Sequence, residues 1–268
     1  MNNQLVPLHV PHRHALSFAQ CNGSMFLRPQ IAMVFLMLGL TLALYGNGAP
    51  LANAQSEAVV VDDFQGDEDD TYPNQWVFVT SNQEVLDIET QMRENEWARV
   101  QRENGRAYLR TYTQNEAMRI SMLNDEHFNW DLQEHPWFEW KWRIQSYPEG
   151  AAENNRRRND TAAAMYVTFG SDWLGRPKSI KYTFSSSLPV GTTDEQGPLR
   201  VMVIDSANEP GLGQWKTMRR NIRSDYRQLF GENPPNNPIS ITIWNDSDTI
   251  SGQTSKADFD AIRLLPPQ

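Results

Sequence analysis

Residues 137–150 read WFEWKWRIQSYPEG, three tryptophans within six positions with charges set between them. In an extended strand, successive side chains point to opposite faces. Phe138, Trp140, Trp142 and Ile144 then form one unbroken apolar row, and Glu139, Lys141 and Arg143 form the other, with Trp137 at its edge. The apolar row reads as the core of a sheet. Of the three indoles, only Trp137 is left free to stack on a ligand.

Working outward, short runs rich in β-branched and aromatic residues alternate with turn clusters along the rest of the chain. They include AVVVDDF (58–64), WVFVT (76–80), WARVQRE (97–103), RAYLRTYT (106–113), AMRISML (117–123) and TAAAMYVTF (161–169). SIKYTF (179–184), LRVMVID (199–205), QWKTMRRNI (214–222), ISITIW (239–244) and FDAIRLL (259–265) follow. Asn104-Gly105, Pro148-Glu149-Gly150 and Glu209-Pro210-Gly211 punctuate them. Such spacing predicts an all-β sandwich or barrel. One helix is expected, DYRQLF capped by Ser224 and stopped at Gly231 ahead of Pro234-Pro235. QWKTMRRNI could instead extend it, as Trp215, Met218, Ile222, Tyr226 and Leu229 nearly form a helical stripe, but a strand followed by a short helix is preferred.

The same parity puts Ile180, Tyr182 and Phe184 inside and Lys181 and Thr183 outside. It puts Ile239, Ile241 and Ile243 inside and Trp244 outside. Were these strands neighbours, Trp137, Glu139, Lys141, Arg143, Lys181 and Trp244 would share one face, aromatic rings flanking charges, which suits a saccharide. The plainer reading is a solvated face of cross-strand ion pairs, each worth under about 1 kcal/mol.

The first fifty residues belong to a different category. IAMVFLMLGLTLALY (31–45) is uncharged and apolar, follows Arg28, and leads to Ala52-Asn53-Ala54. A cationic start, a short apolar middle and a small-residue site make a secretory signal peptide, with Met25 an alternative start. Residues 1–54 are expected to be removed, leaving 55–268 as one domain, periplasmic or secreted, with no membrane span. A spanning helix needs roughly 20 apolar residues, more than this run supplies. The only cysteine, Cys21, goes with the leader, which excludes disulfides and thiol chemistry.

All 33 acidic residues lie beyond residue 54 and 22 basic ones remain, a balance of −11 that fits nucleic acid poorly. There is no Gly-rich phosphate loop, no G-x-S-x-G and no H-E-x-x-H. His127 and His135 flank Trp130 in what reads as a loop, short of a third metal ligand. Glu139, Asp160 and Asp205 are candidate carboxylates for glycoside hydrolysis, but so many acids always offer some pair. The arginines of NRRRND, Arg156 to Arg158, are the one strongly basic cluster and suit either phosphate or sulfate groups or a charged loop. Asp246 and Asp248 in NDSDT, two positions apart, could converge on one ion, though without the glycine and closing glutamate of an EF-hand. The plainer reading is a turn whose side chains satisfy their own backbone.

Five stretches in order, FEWKWRIQSYPEGA, DTAAAMYVTFG, PKSIKYTFSSSLPVGT, GQWKTMRRNIRSDYRQLFGENPP and ADFDAIRL, resemble a bacterial family catalogued as domain of unknown function 3047. The opening Asp-Asp-Phe strand, the I-x-I strand and the closing D-F-D-x-I-x-L strand are similar, more loosely, to galactose-binding-type jelly rolls of carbohydrate-binding modules. That resemblance implies a two-sheet antiparallel β-sandwich with one short helix near the C-terminus. It also implies a structural calcium held where the first and last strands meet, carried over to Asp62, Asp63 and Asp260, with Asp258 a weaker candidate. The functional expectation is a non-catalytic module of the cell envelope with a glycan as ligand. The alternatives are a carboxylate-dependent glycoside hydrolase and a structural envelope protein acting through protein contacts.

Overall fold

In the computed structural model, which describes residues 57–80 and 83–268, the chain is a sandwich of two sheets. The expected leader lies outside the described residues. The strands, in chain order, are β1 (Val59–Asp62), β2 (Phe78–Val79), β3 (Val85–Leu86), β4 (Glu96–Glu103), β5 (Arg106–Gln114), β6 (Ala117–Leu123), β7 (Trp137–Ser146) and β8 (Thr161–Ser171). They continue as β9 (Pro177–Ser185), β10 (Thr193–Gln196), β11 (Leu199–Ser206), β12 (Lys216–Asn221), β13 (Ser240–Asp246) and β14 (Thr254–Leu265). Among the described residues, two helices, α1 (Ile88–Gln91) and α2 (Ile222–Phe230), complete the set.

The first sheet runs β12-β7-β14-β5-β4, with β1 also paired to β14; the second runs β10-β11-β9-β8-β13-β6. The two-sheet sandwich expected from the sequence is therefore what forms. One pairing departs from the antiparallel pattern: β11 lies parallel to β9. A parallel pair needs a crossover of about a dozen residues or more, and residues 186–198 supply it, carrying β10 to the outer side of β11. WVFVT contributes only the two residues of β2, which pair with β3 in a small separate ribbon.

Local chemistry explains the turns and the helix. Asn104 and Gly105 both take positive φ, 54° and 79°, which joins β4 to β5 in the tight hairpin geometry that Asn-Gly favours. Helix α2 starts three residues before the expected DYRQLF, because Asn221 and not Ser224 is the cap: its side chain accepts the Ser224 N–H at 3.0 Å. Gly231 ends it in the left-handed conformation, φ 75°.

The apolar row of β7 faces the second sheet. Phe138, Trp140 and Trp142 have no solvent exposure, and Trp140 meets Tyr182 of β9 across the sandwich at 5.9 Å between ring centroids. Trp142 donates from Nε1 to Asp205 of β11 at 3.1 Å, and Lys216 holds the same carboxylate at 2.7 Å. Helix α2 closes one end of the core: Tyr226 packs on Phe169 at 4.6 Å, and Asp225 takes Arg220 and the Tyr182 hydroxyl. Among the described residues, no helix is long and apolar enough to cross a membrane.

Candidate functional site

Because Trp140 and Tyr182 face each other, the outward rows of the two sheets lie on opposite sides of the molecule. The single face expected for the six candidate residues therefore does not form. Trp137, Glu139, Lys141 and Arg143 belong to β7 in the first sheet, while Lys181 on β9 and Trp244 on β13 belong to the second. Parity separates inside from outside for most of these residues, but Ile239, expected inside, lies exposed just ahead of β13, and Thr183, expected outside, is buried. It carries no information on which sheet a strand joins.

On the first sheet's outer side, the charges neutralise one another. Glu139 accepts from Arg219 at 2.9 Å and Arg263 at 2.7 Å. Asp258, fully buried, takes Arg110 through two bonds, Arg143 at 2.8 Å and Gln145 at 2.9 Å. Arg143 also reaches Glu103 at 3.0 Å and lies over the rings of Tyr108 and Trp215. Trp137 is half-buried between Asn221 and Leu265. This is the cross-strand ion-pair reading of the β7 row, built into a network.

The second sheet's outer side is different. Lys181 is opposite Tyr166 of β8, Tyr166 opposite Thr242 of β13, and Trp244 opposite Arg119 of β6, so all of these side chains face outward together. The Tyr166 and Trp244 rings, both half-buried, lie 5.6 Å apart at 42°. Arg119 flanks Trp244 at 5.8 Å and Lys181 flanks Tyr166 at 5.8 Å, so each ring has a cation at its outer side. Phe78 of β2 lies 5.0 Å from the Arg119 guanidinium. The row from β6 to β9 crosses three interstrand spacings, about 14 Å. Paired hydroxyls fill the adjacent positions: Ser121 with Thr242 at 2.8 Å, and Thr168 with Ser179 at 2.9 Å.

The segment between β7 and β8, residues 147–160, walls one side of this face. Ala151 accepts from the hydroxyls of Ser186 and Ser187, Glu153 accepts from Ser185 at 2.6 Å, and Gln196 donates to the Glu153 carbonyl. The wall leaves Lys181 only 5 % exposed. Burial opposes its charge, but Tyr166, Glu153 and Asp246 outweigh that and hold its pKa above the usual lysine value. Burial raises the Glu153 carboxyl, and its Oε1 has no hydrogen-bond partner. Arg156, Arg157 and Arg158 are exposed on the same segment.

At the end of the row, Asp160, Asp246 and Asp248 bring one carboxylate oxygen each within 4.8 Å of the others. Burial, then the charges of Asp248 and Asp160, push Asp246 up to about 7 against the pull of Lys181. Asp246 is more than a turn residue, since Trp244 Nε1 donates to it at 3.3 Å. Asp160 is tied to the backbone N–H groups of Thr249 and Ile250.

The residues expected to hold calcium are placed otherwise. Asp62, Asp63 and Asp260 are not gathered into a ligating group; among the described residues only the Asp160, Asp246 and Asp248 set is. Asp62 accepts from Trp76 Nε1 at 2.7 Å and from the Phe64 N–H, and burial raises it to about 6. Asp260 is paired with Arg106 at 2.6 Å. The histidines are likewise engaged with backbone: His127 Nδ1 accepts the Leu123 N–H, and His135 bonds the Glu57 carbonyl.

Tyr166 and Arg119 are the site residues that sequence reasoning passed over. In TAAAMYVTF the run from Ala162 to Val167 is apolar on both faces but for Tyr166, so no alternation singles it out. In AMRISML the alternation does exist: Met118, Ile120 and Met122 are buried, leaving Arg119 and Ser121 outward.

The fold and this face define a β-sandwich protein with an aromatic, hydroxyl-rich outer sheet surface. The chain belongs to the family described as protein of unknown function DUF3047, whose model matches residues 74–263. No curated protein matches it. Similar solved structures include the family 11 carbohydrate-binding module of the cellulosomal cellulase Lic26A-Cel5E of Clostridium thermocellum. That match has 10 % identity, 78 % of this chain and 95 % of that one covered, and a TM-score of 0.38. A non-crystalline cellulose-specific module, CBM28, has 13 % identity, 79 % and 96 % covered, and a TM-score of 0.40. The mannan-recognising module TmCBM27 has 9 % identity, 80 % and 100 % covered, and a TM-score of 0.31.

Proposed function

We propose that this is an exported, non-catalytic glycan-binding module whose ligand lies across the outer side of the second sheet. The observation that carries the reading is the Tyr166–Trp244 ring pair, half-buried and flanked by cations and hydroxyls. A sugar ring has an apolar face that stacks on an aromatic ring and a rim of hydroxyls that seeks hydrogen bonds; a surface offering both in one row is suited to it. The ion-paired first sheet has fewer free polar groups to offer. Calcium is not needed for this reading, and export to the periplasm or exterior rests on the leader-like N-terminal sequence.

A glycan array tests it. Trp244→Ala and Tyr166→Ala should abolish binding while leaving the melting temperature within a few degrees, and Trp137→Ala should leave binding intact. Silence of the folded protein across a broad array would refute the proposal. So would binding that survives both ring deletions.

A second reading, hydrolysis of the bound glycan, is favoured by one observation, the raised Asp246 carboxyl beside Trp244. A general acid needs a pKa near working pH. Product formation lost in Asp246→Asn with binding retained would establish it; an array ligand left intact after prolonged incubation would dismiss it.

A further inference from the structure

We infer that Arg119 forms a subsite for an anionic substituent, so that the glycan on this face is an acidic one carrying carboxylate or sulfate groups. The inference rests on the proposed binding face and adds the class of ligand to it.

Arg119 stands apart from the arginines of the ion-paired clusters. Arg110 and Arg143 hold Asp258, Arg219 and Arg263 hold Glu139, and Arg220 holds Asp225. Arg119 has no ion pair and no hydrogen bond among the described residues. It has rings instead, the Phe78 centroid at 5.0 Å and the Trp244 centroid at 5.8 Å from its guanidinium carbon.

Contact with ring faces satisfies charge in part, at about 0.5–2 kcal/mol. It leaves the in-plane N–H donors of the fork open. Those donors match the two oxygens of a carboxylate or sulfate, the arrangement in which arginine binds anions best. Burial lowers the pKa of Arg119, with only Tyr166 opposing it. An incoming anion would replace solvation that the site has already removed.

The surroundings fit such a role. Trp244 is held by the Asp246 carboxylate, which fixes the ring beside Arg119 and the stacking sugar beside the fork. Lys181, the other cation of the row, already has Glu153 and Asp246 as counter-charges. The uncompensated positive charge is therefore at the β6 end. The same polarity sets a direction: the charged substituent sits toward β6 and Phe78, and the neutral rim of hydroxyls toward β8.

The test is calorimetric titration of the full chain at two salt concentrations. The probes are oligogalacturonate, its carboxyl-reduced neutral counterpart and a sulfated galactan oligosaccharide. The wild type should bind an acidic oligomer at least tenfold more tightly than the reduced one, with the preference shrinking at high salt. Arg119→Gln should bring acidic and neutral affinities together, the acidic affinity falling at least tenfold further than the neutral one. Arg119→Lys, which keeps the charge without the fork, should retain part of the preference and covers the case in which the glutamine variant misfolds. Tight binding of only the carboxylated or only the sulfated oligomer identifies the group.

Equal affinity for acidic and neutral probes, unchanged in Arg119→Gln but lost in Trp244→Ala, would overturn the anionic subsite and leave the glycan-binding face standing. Binding of no oligosaccharide would overturn both.

Discussion

Trp140 and Trp142 are two positions apart, equally buried, and point into the same core, yet they should respond differently to the same replacement by phenylalanine. Trp142 donates its indole N–H to Asp205, a buried carboxylate, at 3.1 Å. A hydrogen bond to a charged partner contributes about 1.5–3 kcal/mol. Trp142→Phe removes it, and Asp205 keeps only Lys216 and the Ser206 N–H. Trp140 is buried against Phe138 at 4.8 Å and Tyr182 at 5.9 Å, but its Nε1 has no partner. Trp140→Phe removes an unmet donor together with some volume, and the two effects oppose each other. Trp142→Phe should therefore destabilise by about 2 kcal/mol more than Trp140→Phe. For a domain of this size that is a melting difference of roughly 4–8 °C. Urea unfolding of both variants, with equal m-values, measures it. Equal losses, or a larger loss at Trp140, would refute the hydrogen-bond argument. Trp140→Ala should cost about 3–5 kcal/mol, from the lost burial of the ring together with the cavity it leaves.

Other outcomes follow from the ionised groups and the helix end. Asp246 is raised in the folded chain from 3.8 to about 7, so the folded state keeps a proton that the unfolded state releases. Its contribution to stability is complete below about pH 4 and lost as pH rises toward 7. Asp246→Asn should gain on the wild type by up to about 4 kcal/mol across that window; parallel pH–stability curves would contradict it. Asp258→Ala strips Arg110 and Arg143 of a buried partner and should cost about 3 kcal/mol by urea unfolding. A loss under 1 kcal/mol would show the first sheet's network to be incidental. Gly231→Ala forces a side chain into φ 75° at the end of α2 and should lower stability by about 1 kcal/mol. An unchanged melting curve would contradict the cap.

What could be read from the sequence was local. The alternation in β7 announced which side of that strand is core, and the buried Phe138, Trp140 and Trp142 agree with it. Lys181 and Trp244 were rightly put outside by the same argument. Alternation is a property of one strand, however, and sheet membership arises from pairings between residues far apart in the chain. Trp244 lies opposite Arg119, 125 positions earlier, and Lys181 is covered by a segment from before β8. Neither relation leaves a mark in the spacing of either stretch. The parallel β9–β11 pair was hidden for the same reason, since nothing in LRVMVID fixes the direction of its neighbour. The start of α2 was misread on finer grounds: Asn221 and Ser224 are both good caps, and only the end of β12 decides between them.

The outermost strands of the two sheets carry a consequence for how copies of this protein behave when crowded. Any open strand offers unpaired backbone groups to a passing chain, which is how sheets grow into aggregates. Here β10 is four residues long and reads TDEQ, β12 carries Lys216, Arg219 and Arg220, and β4 ends in Gln101, Arg102 and Glu103. On the remaining side, β6 is bridged by Val77 at Ser121. Shortness, like charges and a covering ribbon thus blunt these four borders, and β1, paired only to β14, is itself just four residues long. Concentrated solutions of the protein should therefore resist fibre formation through edge-to-edge growth.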